Sequence, residues 1–171
     1  KTIAISPHLP IVATGSEDTT IRLWDIHTGA QLGILTGHHQ SIETLVFHPH
    51  QAGLLYSSGK DGLIKLWCVK TAQKLISIDS QQSKVNTLAI SPDGKLLISG
   101  GSDRTIKIWY LGLGDRQSID HLVRIKPHQL SVSLVTHAAE ILALDICRSQ
   151  QYIITASRDR TAKIWMQNPL I

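Results

Sequence analysis

The feature that most constrains this chain is a phrase ending in tryptophan that occurs four times. Each copy has an aspartate six residues before the tryptophan and a serine or threonine four residues before that aspartate. Four agreements at these fixed offsets indicate a fourfold internal repeat, which is typical of architectures whose stacked units share a core. The tryptophans are Trp24, Trp67, Trp109 and Trp165, the aspartates are Asp18, Asp61, Asp103 and Asp159, and the hydroxyl residues are Thr14, Ser57, Ser99 and Thr155.

Each repeat is predicted to form β-strands. In the third copy a short apolar strand over residues 88–90 runs into the turn sequence Ser91-Pro92-Asp93-Gly94. Residues 96–101 and the alternating, β-branched residues 105–110 follow as two further strands. A weaker fourth strand precedes the next copy, and no segment keeps a helical period over a helical length. The sequence therefore predicts an all-β chain whose units are four-stranded antiparallel meanders of about 42 residues.

The repeat resembles the WD40 (beta-transducin-like) repeat. Trp24-Asp25 is the one literal Trp-Asp pair and Gly37-His38 the one literal Gly-His pair, but the period, turn aspartate, hydroxyl and tryptophan agree along the chain. The resemblance implies a β-propeller made of WD40-type blades with four strands each. We expect a single WD40 repeat region over residues 1–171, whose last unit lacks its outer strand. Its units are approximately residues 1–36, 37–79, 80–135 and 136–171.

Two irregularities interrupt this pattern. The gap after the third tryptophan is 14 residues longer than the others, so an insertion lies within residues 111–136, which we interpret as a longer surface loop. WD40 blades usually close as rings of about seven, so four units suggest a fragment or gene remnant of a longer, bacterial-style propeller protein. The alternative is self-association, in which two copies complete one ring. An open arc is expected to expose Ile3, Ile5, Ile21 and Leu23 at one end and Ile153, Ile164 and Trp165 at the other.

The resemblance also implies a buried hydrogen-bond network in each blade. In the WD40 family a histidine before the first strand joins the hydroxyl, the aspartate and the tryptophan. The matching position holds His38 and His137 in the second and fourth units and Gln81 in the third, and precedes Lys1 in the first. Serine, histidine and aspartate together also suggest a catalytic triad. We favour scaffolding, because the set recurs in several units as structural residues do and active sites do not.

Composition and motifs argue against several function classes. Charged residues make up 18% of the chain and the net charge is +4, without a block of five like charges, so nucleic acid is not an expected partner. No apolar run is long enough to span a membrane. The nine histidines show no zinc-type spacing, and the phosphate-binding and hydrolase motifs are absent, so no metal or cofactor is expected. The two cysteines, Cys68 and Cys147, are expected to be free thiols in a reducing, cytoplasmic compartment.

Residues that differ between the units are the partner-binding candidates. In the WD40 family, loops at the mouth of the channel carry most partner contacts, and the resemblance places them near the histidine and before the turn aspartate. The candidate set carries both charge signs and lacks aromatic anchors, so it predicts a protein or peptide platform, with plain solvated loops as the alternative. The residues are Lys1, Glu17, Ser41, Glu43, Lys60, Lys84, Asn86, Ser102, Glu140, Leu142 and Arg158.

A cation also recurs in the third strand of every unit, two residues before the tryptophan. These cations are Arg22, Lys65, Lys107 and Lys163. Each lies between two apolar residues, so we expect an exposed strand face on which the aliphatic stems cover apolar surface. The alternative is a row of cations that binds phosphate.

The sequence thus predicts a non-catalytic protein–protein interaction scaffold that is part of a larger multidomain protein. One alternative is a sensor or regulatory domain attached to a kinase, protease or ATPase encoded outside this chain. Another is phosphate or nucleic-acid binding by a basic turn cluster, which a steep dependence of binding on salt would reveal. That cluster consists of Lys60, Arg104, Arg158 and Arg160.

Overall fold

The computed structural model describes residues 1–112 and 129–166, and every regular element in those residues is a β-strand. The chain divides into two compact units, residues 1–85 and 86–171. Each unit contains two antiparallel sheets. We call them blades 1 and 2 in the first unit and blades 3 and 4 in the second. The prediction of an all-β chain built from four-stranded meanders is confirmed.

The first unit consists of two four-stranded sheets in which strand order follows chain order. Short connections join neighbouring strands, so each sheet is a meander. Blade 1 contains β1 (Thr2–Ile5), β2 (Ile11–Gly15), β3 (Ile21–Asp25) and β4 (Gln31–Leu35), and blade 2 contains β5 (Ile42–Phe47), β6 (Leu54–Gly59), β7 (Leu63–Cys68) and β8 (Gln73–Asp79).

The second unit repeats this arrangement with two differences. Blade 4 has three strands among the described residues, as predicted, and residues 113–128, which hold most of the predicted insertion, lie outside them. The extra residues fall between the third and fourth strands of blade 3. Blade 3 contains β9 (Val85–Ile90), β10 (Leu96–Gly101), β11 (Thr105–Tyr110) and β12 (Gln129–Val135), and blade 4 contains β13 (Ile141–Ile146), β14 (Tyr152–Ser157) and β15 (Ala162–Met166).

The turn between the second and third strands has the same form in all four blades. One carboxylate oxygen of the turn aspartate accepts the backbone N–H two residues later, at 2.9 to 3.1 Å. The intervening residue has a φ near +70°, which is the left-handed region. Asp is suited to this position because its side chain can close a tight turn on its own backbone. The intervening residues are Thr19, Gly62, Arg104 and Arg160.

The core of the first unit lies between its two blades. The inner face of blade 1, which includes Ile21 and Leu23, packs against blade 2 side chains that include Phe47 and Trp67. The expectation that Ile21 and Leu23 lie on an exposed end face is therefore wrong, because they are 0% and 2% exposed. Side chains alternate between the two faces of a strand, so residues flanking Arg22 point to the opposite side from Ile3.

The core of the second unit is formed in the same way between blades 3 and 4. Ile98 and Ile106 of blade 3 pack with Ile141, and the partly buried Ile153 and Trp165 of blade 4 pack against this cluster. The expectation that Ile153 and Trp165 are exposed is also wrong, for the same reason of strand alternation.

Candidate functional site

The histidine, hydroxyl, aspartate and tryptophan of blade 2 form a continuous hydrogen-bonded chain. His38 Nδ1 lies 2.8 Å from Asp61 Oδ2, and His38 Nε2 lies 2.7 Å from Ser57 Oγ. The indole N–H of Trp67 donates to the same Ser57 oxygen at 2.8 Å. The side chain of His38 is fully buried and that of Asp61 is 5% exposed. Buried polar groups are costly unless they are paired, and these bonds give each of the four side chains a partner.

The direction of these bonds follows from Trp67, whose indole N–H donates and cannot accept. Because the indole N–H of Trp67 can only donate, the Ser57 oxygen accepts from it. The Ser57 hydroxyl can then donate its own hydrogen bond to His38 Nε2. His38 then donates through Nδ1 to Asp61. Burial by itself would raise the pKa of Asp61, but the bonds from His38 and from two backbone N–H groups outweigh it and hold that pKa below its usual value. Ser57 is fully buried, so the set has the geometry of a scaffold rather than of an exposed nucleophile.

Blade 4 contains the same network with threonine in place of serine. His137 Nδ1 lies 2.9 Å from Asp159 Oδ2, His137 Nε2 lies 2.7 Å from Thr155 Oγ1, and Trp165 donates to that hydroxyl at 3.0 Å. The Thr161 hydroxyl donates to Asp159 Oδ1 at 2.6 Å, and this bond is the largest cause of the lowered pKa of Asp159.

In blades 1 and 3 the hydroxyl and the tryptophan are joined in the same way. Trp24 donates to Thr14 at 2.8 Å, and Trp109 donates to Ser99 at 3.1 Å. At the histidine position of blade 3, the side chain of Gln81 is exposed, whereas the adjacent Gln82 is 3% exposed.

The turn aspartates of these two blades hold their own turns. The Thr20 hydroxyl donates to Asp18 at 2.7 Å, and the Thr105 hydroxyl donates to Asp103 at 2.8 Å. The side chain of Asp18 is 46% exposed and lies 3.5 Å from Arg22, whereas that of Asp61 is almost fully buried. The same aspartate position is therefore exposed in blade 1 and buried in blade 2.

The recurring cations do not form an exposed row. Lys65 and Lys107 are 2% and 5% exposed, and Lys163 is half-buried. The Lys65 amine donates to the carbonyl of Gly37, and the Lys163 amine donates to that of Thr136 at 2.6 Å, so in both blades the acceptor directly precedes the network histidine. Burial lowers the pKa of Lys65. The expectation of an exposed strand face is therefore wrong at Lys65 and Lys107, because the face that bears the tryptophan also bears these lysines.

Six of the partner-binding candidates belong to the first unit, and three of them contact the carboxylate of a fourth, Glu43. Glu43 Oε1 accepts from Lys1 at 3.3 Å and from the Ser41 hydroxyl at 3.2 Å, and Glu43 Oε2 lies 3.8 Å from Lys84. Lys1 also lies 3.1 Å from Glu17, and this bond is the largest cause of the lowered pKa of Glu17. We call Lys1, Glu17, Ser41, Glu43, Lys60 and Lys84 the charged patch; in it Lys60 is exposed and also lowers the pKa of Glu17.

The remaining candidates belong to the second unit. Asn86 donates to the carbonyl of Ile141 at 2.7 Å and to Glu140 at 3.4 Å, and Arg158 lies 2.5 Å from the other oxygen of Glu140. Leu142 is 48% exposed, and Ser102 is half-buried. The structure therefore joins Asn86, Glu140 and Arg158 in a smaller cluster.

The part of the chain that the structure describes contains neither a metal-binding cluster nor a membrane-spanning helix. Residues 1–112 and 129–166 hold no group of three or more His, Cys, Asp or Glu side chains that could bind a metal ion. Within the same residues no helix is long and apolar enough to cross a bilayer. Cys68 is buried, Cys147 is half-buried, and both are free thiols.

Comparison with known proteins identifies the repeat. The family described as "WD domain, G-beta repeat" matches residues 1–25, 29–68, 72–110 and 128–166. The chain belongs to the WD40 repeat family. Each later WD40 match begins with the outer strand of one blade and ends with the third strand of the next, so the repeat and the blade are offset by one strand.

WD40 relatives and designed proteins match most of the chain. It is 32% identical to the nuclear distribution protein nudF of Aspergillus niger over 91% of this chain and 37% of that protein. It is also 32% identical to a p21-activated protein kinase-interacting protein 1-like of Gallus gallus, over 83% of this chain and 40% of that protein. The chain thus spans less than half the length of these two relatives.

Two computationally designed proteins, Ika4 and Ika8, are similar to the chain in structure, each at 30% identity. Ika4 matches with a TM-score of 0.76 over 98% of this chain and 90% of its own. Ika8 matches with a TM-score of 0.75 over 97% of this chain but only 45% of its own. Together with the four sheets, these similarities identify the fold as that of WD40-type propeller blades.

Proposed function

We propose that this WD40 region is a non-catalytic scaffold that binds a protein or peptide partner, and that the charged patch of the first unit contacts that partner. One observation carries this proposal: two lysines from separate segments, Lys1 and Lys84, both pair with Glu43, whose side chain is 14% exposed. Loops held by a rigid sheet scaffold are where proteins commonly place binding residues. The preorganised lysines offer a partner donors whose positions are already set.

The buried networks support a scaffold rather than an enzyme. The hydroxyls of Ser57 and Thr155 are both 0% exposed, and each is already engaged by a tryptophan and a histidine. A nucleophile must reach its substrate, which these hydroxyls cannot do in the folded blade. The networks therefore serve to hold the turns that carry the binding loops.

A protein partner also agrees with the relatives. The name of the Gallus gallus relative describes it as interacting with a protein kinase, and it is matched over 83% of this chain. We extend to this chain only the class of partner, a protein. The two free thiols agree with a reducing compartment, so we place the protein in the cytoplasm.

The geometry gives less support to nucleic-acid binding by the basic turn cluster. Arg158 of that cluster is paired with Glu140 at 2.5 Å, which neutralises the charge that a phosphate would require. Arg104 and Arg160 occupy left-handed turn positions and are exposed, so phosphate binding by the second unit would rest on them.

The test is affinity capture from an extract of the cells that make the protein, followed by quantitative mass spectrometry. The patch variant is Lys60→Glu with Lys84→Glu, and the matched control is Lys70→Glu with Lys95→Glu, two exposed lysines outside the patch with the same change in charge. We expect proteins that the wild type and the control capture equally and that the patch variant loses about tenfold or more, since reversing charges in an interface costs at least 1.4 kcal/mol.

Each captured protein is then purified and its affinity measured by calorimetry against the three chains. Equal affinity for the patch variant and the control would show that the patch is not the binding surface. Capture of a protein that is abolished by nuclease and falls steeply with salt would mean that nucleic acid mediates it. That result would favour the basic turn cluster instead.

A further inference from the structure

Inside each unit, neighbouring blades always meet through the same two kinds of face. One kind, which we call the tryptophan face, carries the tryptophan and the network hydroxyl of its blade, and the other we call the plain face. In the first unit the tryptophan face of blade 2 packs on the plain face of blade 1, and in the second unit the tryptophan face of blade 4 packs on the plain face of blade 3.

Close backbone packing accompanies both contacts. The space for a Cβ at Gly15 is occupied by Ile42, at 2.7 Å, and the space for a Cβ at Gly100 is occupied by Ile141, at 2.8 Å. Gly15 and Gly100 each directly follow the network hydroxyl of their blade, and Ile42 and Ile141 each begin the first strand of the next blade. The blade-to-blade contact is therefore a repeated, specific interface.

The tryptophan face of blade 1 has the side chains for this interface but no blade against it within the first unit. Leu45 and Phe47 of blade 2 lie opposite the network hydroxyl and next to Trp67, and they are 6% and 7% exposed. Ile3 and Ile5 occupy the same register positions in blade 1, opposite Thr14 and Val12, but they are 65% and 62% exposed. Burying them would follow the pattern of blade 2.

The plain face of blade 4 is the complementary half. Ala13 and Leu23 on the plain face of blade 1 directly precede the network hydroxyl and the tryptophan, and they are 0% and 2% exposed. Ile154 and Ile164 hold the same two positions in blade 4 and are 43% and 69% exposed. Among the described residues, the tryptophan face of blade 1 and the plain face of blade 4 are thus each left without a partner blade inside their own unit.

We propose that a second copy of this chain covers these faces, with the plain face of blade 4 in one copy packed on the tryptophan face of blade 1 in the other. Such head-to-tail pairing uses the interface that the chain already forms twice within itself. Charge is compatible with the same orientation: Arg22, whose pair with Asp18 is solvent-exposed, lies on the tryptophan face of blade 1, and the exposed Asp145 lies on the plain face of blade 4.

The length of the designed protein Ika8 agrees with a pair of copies of this chain. Almost the whole chain, 97% of it, matches only 45% of Ika8 at 30% identity. Ika8 is therefore about twice as long as this chain, so the part of Ika8 that is not matched has about the length of a second copy.

The test measures the mass of the 171-residue chain by sedimentation and light scattering over a range of concentrations. We expect a species of twice the 18.8 kDa chain mass. Ile5→Glu on blade 1 and Ile164→Glu on blade 4 should each weaken association at least about tenfold, because each places a charge in an apolar contact. Val135→Glu is the matched control, since Val135 is 74% exposed and belongs to blade 3, outside the two faces that are proposed to pair.

Mixing the two variants decides the orientation. In a head-to-tail pair of Ile5→Glu with Ile164→Glu, one interface contains both substitutions and the other contains none, so equimolar mixing should restore association. Far-UV circular dichroism and unfolding curves like those of the wild type would show that these exposed substitutions leave the fold intact.

Four results would overturn the proposal. A monomer at every concentration would show that a second copy does not cover the two faces. Sensitivity to only one of the two substitutions, or no recovery on mixing, would exclude head-to-tail pairing. Masses that grow without limit and respond equally to the Val135→Glu control would indicate aggregation instead.

Discussion

Replacing Asp61 with alanine tests whether the blade 2 network stabilises the fold. The substitution removes the acceptor for the His38 Nδ1–H at 2.8 Å and for the backbone N–H groups of His39 and Leu63, both at 3.1 Å. A buried donor without an acceptor costs about 1–3 kcal/mol, and each backbone bond contributes about 0.5–1 kcal/mol. Removing a buried carboxylate also relieves its desolvation, so we expect a net loss of about 2–3 kcal/mol.

Asp18→Ala is the matched control in the same unit. Asp18 closes the same turn through the N–H and hydroxyl of Thr20, but its side chain is 46% exposed, and no histidine among the described residues donates to it. Exposed groups that lose a partner return to water, so this variant should lose only about 0.5–1 kcal/mol. The difference between the two variants, about 2 kcal/mol, is the combined contribution of the His38 side chain and the His39 N–H to the stability of blade 2.

The measurement is equilibrium unfolding in urea at neutral pH, followed by tryptophan fluorescence and far-UV circular dichroism. Coincident transitions and unchanged m-values are required before the free energies are compared. Equal losses for Asp61→Ala and Asp18→Ala, within about 0.5 kcal/mol, would refute the reasoning, because the His38 bond would then contribute nothing beyond the turn.

Three further predictions concern the same elements. Because folding lowers the pKa of Asp61, the stability that this carboxylate contributes is complete above about pH 5 and is lost as the pH falls toward the folded-state pKa. Between pH 7 and pH 3 the free energy of unfolding should therefore decrease less for the Asp61→Ala variant than for the wild type. Trp67→Phe should cost about 1–2 kcal/mol in urea unfolding, since a buried hydroxyl loses its donor, and a loss below about 0.5 kcal/mol would count against this role. Arg160→Gly should raise the melting temperature in calorimetry by relieving a φ of +67°, whereas Gly62→Ala should lower it, because a Cβ there would overlap the carbonyl of Gln82; a rise for Gly62→Ala would contradict this account of the turn.

Much of the fold was predictable from the sequence because it depends on local chemistry. The turn aspartate, with a left-handed residue after it, closes a tight turn regardless of what surrounds it. The apolar alternation before each tryptophan predicts a strand for the same local reason, as in Thr105–Tyr110. The WD40 resemblance implied which of the residues separated along the chain come together, and the distances from His38 to Ser57 and Asp61 agree with it.

The positions that sequence reasoning missed depend on a neighbouring sheet. Lys65 alternates with apolar residues as an exposed lysine would, but it lies beside the carbonyl of Gly37, which accepts its amine. Before blade 3, the sequence spacing assigns the histidine position to Gln81, but the residue that is buried in the structure is Gln82. The signal that could have been used is that a cation recurs two residues before each tryptophan, which puts it on the same strand face as the tryptophan.

The sequence by itself determined the number of repeats, the strands and the turn chemistry, since each depends on residues close together along the chain. Only the tertiary structure decided which strand face is covered. Ile21 and Ile3 are equally apolar and lie in neighbouring strands of one sheet, but Ile21 is 0% exposed and Ile3 is 65% exposed. Strand periodicity separates two faces without stating which of them another sheet will cover, because that depends on the packing of blade against blade.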